Sequence, residues 1–121
     1  MSPQTRAWIE AALAAAGKRP LWTLEDVVAD ISSGEAQLWT GQRSCMVTAI
    51  TPFEGAGEKI CEAWLAAGAL DEIEEAIPQL EAFARANGCT QAHVTGRKGW
   101  VRALAPHGYE HWATIVRKLL T

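Results

Sequence analysis

The chain has 121 residues, 49% of them hydrophobic, with 11 basic and 14 acidic side chains and a net charge of −3. That length fits one domain over 1–121, and folding at this size buries roughly two thirds of the unfolded chain's surface. A net acidic chain lacks the basic surface that counterion release on nucleic acid requires, and no run of about 18 apolar residues is available to span a membrane.

Residues 3–16 read as an amphipathic helix, because Arg6 and Glu10 interrupt the alanine-rich run that a secretory signal would need. Ser2 is placed to cap it and Pro3 to open it. Trp8, Ala12 and Ala15 or Ala16 share a face, Gly17 stops the helix, and residues 18–20 form a connector. Thr23, three residues before Asp26, is set to cap a second helix whose buried stripe is Leu24, Val27, Val28 and Ile31. Ser32, Ser33 and Gly34 end it. From there the period changes to two. Ala36, Leu38 and Thr40 alternate with Gln37, Trp39 and Gly41, and residues 44–51 make a second strand rich in β-branched side chains. Residues 52–57 read as a loop and 58–65 as a third strand, although the last segment also suits a helix. Residues 71–87 are helical, with Ile73, Ile77, Leu80 and Phe83 or Ala84 inward, a kink or restart at Pro78, and Gly88 as the stop. A strand at 90–95, a helix at 99–105 and a closing strand at 109–119 complete the order α-α-β-β-β-α-β-α-β. This is a mixed α/β (α+β) domain, with a mostly antiparallel sheet flanked by helices and an extra N-terminal helix with its connector over 1–20.

Cys45, Cys61 and Cys89 are scattered and form no CxxC pair, so reduced, buried thiols of a cytoplasmic protein are expected, with neither zinc nor a disulfide framework. The six tryptophans, spread from Trp8 to Trp112, are expected as core or interface anchors. Gly96-Arg97-Lys98-Gly99-Trp100 sets two cations and an aromatic ring between glycines at a strand-to-helix junction. Arginine there suits a carboxylate or phosphate, and the indole suits stacking. The plainer reading is a tight turn, a solvated basic helix start and a core tryptophan. Aromatic interleaving of the kind single-strand binders use is absent, so nucleic acid is not implied. His107 and His111 have Gly108 and a strand start between them and share no helical face, and His93 stands alone, so no metal site is expected. Glu58, Glu62 and Glu110 are general-base candidates by type, but acidic side chains on strands usually face solvent.

From residue 21 onward the element order resembles the GNAT acyltransferase superfamily. Leu104…Gly108-Tyr109 is similar to the family's ending Leu-Tyr-x-x-x-Gly-Phe, and Glu81-Ala82-Phe83-Ala84…Gly88-Cys89 resembles the long cofactor-side helix leading into the next strand. The compact form around Gly96–Trp100 also resembles small GNAT-like proteins of phages and prophages. The resemblance implies acetyl-CoA held at a strand-to-helix turn of pattern Arg/Gln-x-x-Gly-x-Gly/Ala, where backbone amides and the helix start meet pyrophosphate. In this chain that window is Leu65-Ala66-Ala67-Gly68-Ala69-Leu70, and only Gly68 fits. The helix then opens with Asp71, Glu72, Glu74 and Glu75, carboxylates that favour a helix start and fill the place of a phosphate. The tyrosine that protonates the leaving thiolate in many members is Leu104 here, and Tyr109 takes the place of a packing aromatic. The expectation is therefore a GNAT-fold structural or interaction module of phage or prophage origin. It would be cytoplasmic or virion-associated, without cofactor, and would act through a protein partner or self-association. The alternative is a divergent N-acyltransferase using acetyl-CoA or another acyl-CoA on an amine. Gly68, Arg97, Lys98, Gly99 and Trp100 would then bind the donor, and Tyr109 and Glu62 would be the catalytic candidates.

Overall fold

The structure, a computed structural model, describes residues 1–15 and 20–121. Helix α1 (Pro3–Ala15) starts on Ser2, whose Oγ accepts the Thr5 amide at 3.1 Å, and on Pro3, which has no amide to satisfy. Its buried residues are Thr5 and Ile9, with Trp8 and Ala12 half-buried beside them. Ala16 and the stop and connector expected at Gly17, Lys18 and Arg19 lie outside the described residues. Helix α2 (Leu24–Ser33) has both arms of a capping box: the Asp26 amide donates to Thr23 Oγ1 at 3.2 Å and the Thr23 amide to Asp26 Oδ2 at 2.9 Å.

Four strands follow the chain order in one sheet: β1 (Gln37–Thr40), β2 (Ser44–Phe53), β3 (Glu58–Gly68) and β4 (Gln91–Val94). The first three are antiparallel, and β4 lies parallel to β3 after a crossover through α3 (Leu70–Ala86). The segment that also suited a helix is thus a strand, and it runs on to Gly68. Strand β2 passes through Pro52 where a loop was expected. Its partner β1 pairs only with Cys45–Thr48, so Pro52 meets no neighbour on that side and its missing amide costs no ladder bond there.

Between Val47 and Thr48 the β2–β3 register slips: Val47 faces Leu65 and Thr48 faces Ala63, leaving Trp64 as the extra residue of a bulge. Cys61 and Ala63 face one side of the sheet, while Trp64 and Leu65 both turn to the other. Two cores result. One packs Ile9, Leu24 and Val27 on Cys45, Val47 and Leu65. The other packs Ile73, Ile77, Leu80 and Ala84 of α3, with Leu104 of the short helix α4 (Gly99–Leu104), on Met46, Cys61 and Ala63. Thr48 is fully buried but satisfied, accepting from Trp39 Nε1 at 3.0 Å and donating to Gln37 Oε1 at 2.9 Å.

The expectations at Pro78 and at 109–119 are corrected. Of the kink or restart expected at Pro78, the restart does not occur, and helix α3 continues through the proline. Its buried Ile73, Ile77 and Leu80 lie on both sides of the proline, and at about 1.5–3 kcal/mol each their burial outweighs a penalty of about 3 kcal/mol. Most of the six tryptophans anchor the cores, as expected, though from their margins: Trp8 and Trp64 flank one core, Trp39 and Trp100 the other, and Trp22 and Trp112 are exposed. An indole is large and its N–H needs a partner, so at this chain length it settles at core margins. Finally, residues 109–119 form no strand. Tyr109 packs on the α3 core, but residues 110–121 are exposed and without regular structure. Their β-branched composition is not matched by a paired neighbour, and strand propensity counts for little without cross-strand contacts.

Candidate functional site

A groove of about 2110 Å³ wraps both faces of the outer edge of β4. Glu62, Arg97, Lys98, Gly99, Trp100 and Tyr109 all line it, so the fold gathers residues up to 47 positions apart in the chain. Gly68 does not line it.

The parallel register sets Glu62 opposite His93. The Thr95 hydroxyl donates to Glu62 Oε2, tying the end of β4 to β3, and His93 Nε2 lies 2.8 Å from Gln91 Oε1. Glu62, half-buried, therefore has a hydroxyl partner that its sequence neighbourhood does not announce. Pairing of the two strands ends near Ala63 and Val94, where the Thr95 amide reaches the Ala63 carbonyl at 2.9 Å, while β3 runs on to Gly68. The cations sit past that end. Arg97 and Lys98 are exposed, and neither side chain has an ion-pair partner among the described residues. Trp100 is half-buried against the Leu104 core, and a β-carbon on Gly96 would come within 3.1 Å of the indole, so this glycine makes room for the ring.

Tyr109 is anchored rather than presented. Its amide donates to the Leu104 carbonyl at 3.2 Å and its hydroxyl to Glu81 Oε2 at 3.0 Å. Burial first, and then the bond to Glu81, push the phenol's pKa well above its ordinary value.

The junction of β3 and α3, where the resemblance places a pyrophosphate, is built differently. Gly68 has φ of 102°, and a β-carbon there would overlap the Arg43 carbonyl and the Ser44 Cα. Its conformation and its lack of side chain serve the packing of β3 on the start of β2. The Ala69 amide is used too, donating to the Arg43 carbonyl at 2.9 Å. Arg43 Nη2 lies 3.1 Å from Asp71 Oδ2, and Arg43 Nε lies 3.7 Å from Glu72 Oε2. Glu72 also accepts the Arg43 amide at 3.1 Å and the Ser44 hydroxyl. Gly41 has no side chain where Glu72 lies, so the carboxylate fits beneath the β1–β2 turn. The bond from Arg43 holds Asp71 below its usual carboxylate range, and the bonds from Ser44 and the Arg43 amide do the same for Glu72. Two ionised carboxylates clamped by one arginine thus occupy the opening of α3, and these residues do not fit a pyrophosphate. Sequence reasoning missed Arg43 and Ser44. They lie 28 positions from their partners, and the β2–β3 register, which sets Ser44 opposite Gly68, brings them there.

No protein-family model and no curated protein matches the chain. Solved structures do. An acetyltransferase from Trypanosoma brucei superposes with a TM-score of 0.62 over 99% of this chain and 96% of its own, at 12% identity. A probable acetyltransferase gives 0.66 over 96% and 87%, at 7% identity. A transcriptional regulator from Bacillus halodurans C-125 gives 0.65 over 97% and 91%, at 12% identity. The fold is GNAT-like. At these identities the likeness concerns the path of the chain, and the chemistry rests on the side chains. Within the GNAT-like frame, the junction carrying Gly68 presents carboxylates. The groove carrying Arg97 and Lys98 opens at the other strand, along the edge of β4. Among the described residues no helix is long and apolar enough to cross a membrane, and no cluster of three or more His, Cys, Asp or Glu is arranged to hold a metal.

Proposed function

We propose that this chain is a GNAT-fold structural or interaction module that works through a protein partner or self-association rather than by acyl transfer. The observation that carries the reading is the Arg43–Asp71–Glu72 cluster: a phosphate approaching the start of α3 meets two carboxylates already paired. Leu104 at the position of the family's acid, and a Tyr109 hydroxyl committed to Glu81, add to it. A phage or prophage setting rests on the compact form around Gly96–Trp100 alone, and neighbouring genes test it directly. Calorimetric titration with acetyl-CoA and with free coenzyme A tests the main reading. No heat at millimolar ligand is expected, and micromolar binding would overturn it.

One observation favours a second reading, a divergent N-acyltransferase. Glu62 and the unpaired cations Arg97 and Lys98 line the same groove, at the end where β3 outruns β4. In that case an acyl-CoA would bind through residues 96–100, and Arg97→Ala would weaken it several-fold, about 1 kcal/mol for one exposed charge-assisted contact.

A further inference from the structure

Trp112, Ile115, Val116, Leu119 and Leu120 are five of the eleven large apolar side chains that the described residues expose, Val116 at 91% and Ile115 at 83%. Alternation does not sort residues 110–121, because each face of a strand would carry charged and apolar side chains together. A helical period does. Trp112, Ile115, Val116 and Leu119 recur at i, i+3, i+4 and i+7, with Leu120 at i+8. Glu110, His111, Thr114, Arg117, Lys118 and Thr121 take the opposite face. Thr114 Oγ1 lies 3.1 Å from His111 Nε2, a contact within that polar set. Glu110 in a first turn, with Arg117 and Lys118 two turns on, also agrees with the helix macrodipole. So short a helix is marginal in water, which accounts for the irregular backbone of the segment. It forms once something covers its apolar face.

Charge identifies the cover. Residues 88–121 hold five basic side chains against one acidic, whereas residues 1–87 hold six against thirteen. The net −3 of the chain is thus divided into +4 and −7. On the folded body the basic part presents Arg97, Lys98 and Arg102, all exposed and without an ion-pair partner among the described residues. They line the same groove as residues 109–115, and the bonds from Tyr109 to Leu104 and Glu81 hold the start of the segment there. A nucleic acid would use these cations but has no place for four aliphatic side chains. A protein groove that grips one helix takes its apolar face and leaves the cations of the body unengaged. An anionic lipid surface uses both, and an indole such as Trp112 suits the headgroup boundary.

We propose that residues 110–121 fold as an interfacial helix on an anionic membrane surface. Trp112, Ile115, Val116 and Leu119 enter the headgroup–acyl boundary, and Arg97, Lys98, Arg102, Arg117 and Lys118 lie among anionic headgroups. The acidic remainder of the chain is repelled from the same surface, so binding has one orientation. A helix lying in the interface needs no spanning length. The inference goes beyond the module reading and does not depend on it, because the start of α3 takes no part.

Co-sedimentation of the full chain with lipid vesicles tests it. Phosphatidylcholine vesicles with about one third phosphatidylserine should bind at least about 10-fold more tightly than phosphatidylcholine alone, and about 0.5 M salt should remove most of that gain. Binding should shift tryptophan emission to the blue, since Trp112 is 75% exposed in the free chain, and should add helical circular dichroism. Ile115→Asp together with Val116→Asp is expected to weaken binding by about 100-fold, with an unchanged urea midpoint because both side chains are exposed in the free chain. Arg97→Ala together with Lys98→Ala should weaken it by roughly 10- to 30-fold and leave the blue shift at saturation intact. Equal binding to neutral vesicles, or none to either, overturns the proposal, as does binding that survives both aspartates. Retention of single-stranded DNA without vesicle binding assigns the cations to nucleic acid and overturns it equally. Acetyl-CoA titration of the same sample keeps the readings apart: heat at micromolar ligand removes the module reading alone, and absence of vesicle binding removes the membrane inference alone.

Discussion

At the scale of single residues, Gly68 separates a glycine kept for a ligand from one kept for packing. Its φ of 102° disfavours any side chain, and the space of its missing β-carbon is filled by backbone of Arg43 and Ser44. Backbone cannot turn away as a flexible side chain can. Gly68→Ala is therefore expected to cost roughly 2–4 kcal/mol, read as a fall in the urea midpoint with an unchanged slope. A glycine kept open for pyrophosphate would lose ligand affinity on substitution and keep its stability, so an unchanged midpoint would refute the packing account. Arg97→Ala is the contrasting case. Its side chain is exposed and unpaired, and its removal should move stability by no more than about 0.5 kcal/mol.

At the scale of elements, α2 shows how far local signals reach. With 10 residues it is too short to be stable alone, and it depends on its cap and its buried Leu24 and Val27. Thr23→Ala removes the acceptor for the Asp26 amide and should cost about 1 kcal/mol in urea unfolding. Thr23→Ser, which keeps the oxygen, should restore most of that loss, and failure to do so would assign the effect to the methyl group instead. The capping box and the helical stripe were legible because both are written within a few residues. Strand β3 was legible by its alternation, up to the bulge at Trp64, which only pairing with β2 reveals. The closing strand was misread for the complementary reason. Trp112, Ile115 and Val116 carry strand propensity, but a strand exists only with a partner edge, and that edge lies outside the segment. The candidate site divides the same way. Arg97 to Trp100 is one local segment and was visible, whereas the hold of Arg43 on Asp71 and of Thr95 on Glu62 depends on strand register.

At the scale of the whole molecule, the ionisable groups set a stability plateau with two distinct limbs. On the acid side Asp26, Asp71 and Glu72 are all held below their usual values: Asp26 by the Thr23 amide, Asp71 by Arg43, and Glu72 by the Ser44 hydroxyl. A carboxylate whose folded-state pKa is lowered binds its proton more weakly than the unfolded chain does. Its contribution is therefore present above the ordinary values of 3.8 and 4.5 and is lost as pH falls through the lowered ones. On the alkaline side burial raises Cys45 and Cys61 from 9.0 to about 11 and raises Tyr109 above its usual 10.0. A raised folded-state pKa leaves stability whole below 9.0 and withdraws it as pH climbs toward 11, because the unfolded chain ionises first. The two cysteines lie in opposite cores, Cys45 under α1 and α2 and Cys61 under α3, so the alkaline limb reports on both faces of the sheet at once. Urea midpoints measured across the pH range should be level between about pH 5 and 8.5 and fall on either side. Cys45→Ala should lower the whole profile by leaving a cavity, yet flatten its alkaline limb by removing one of the groups that drive it. A variant that keeps the full slope above pH 9.0 would mean that Cys45 titrates alike in both states and that the core against α1 and α2 admits water.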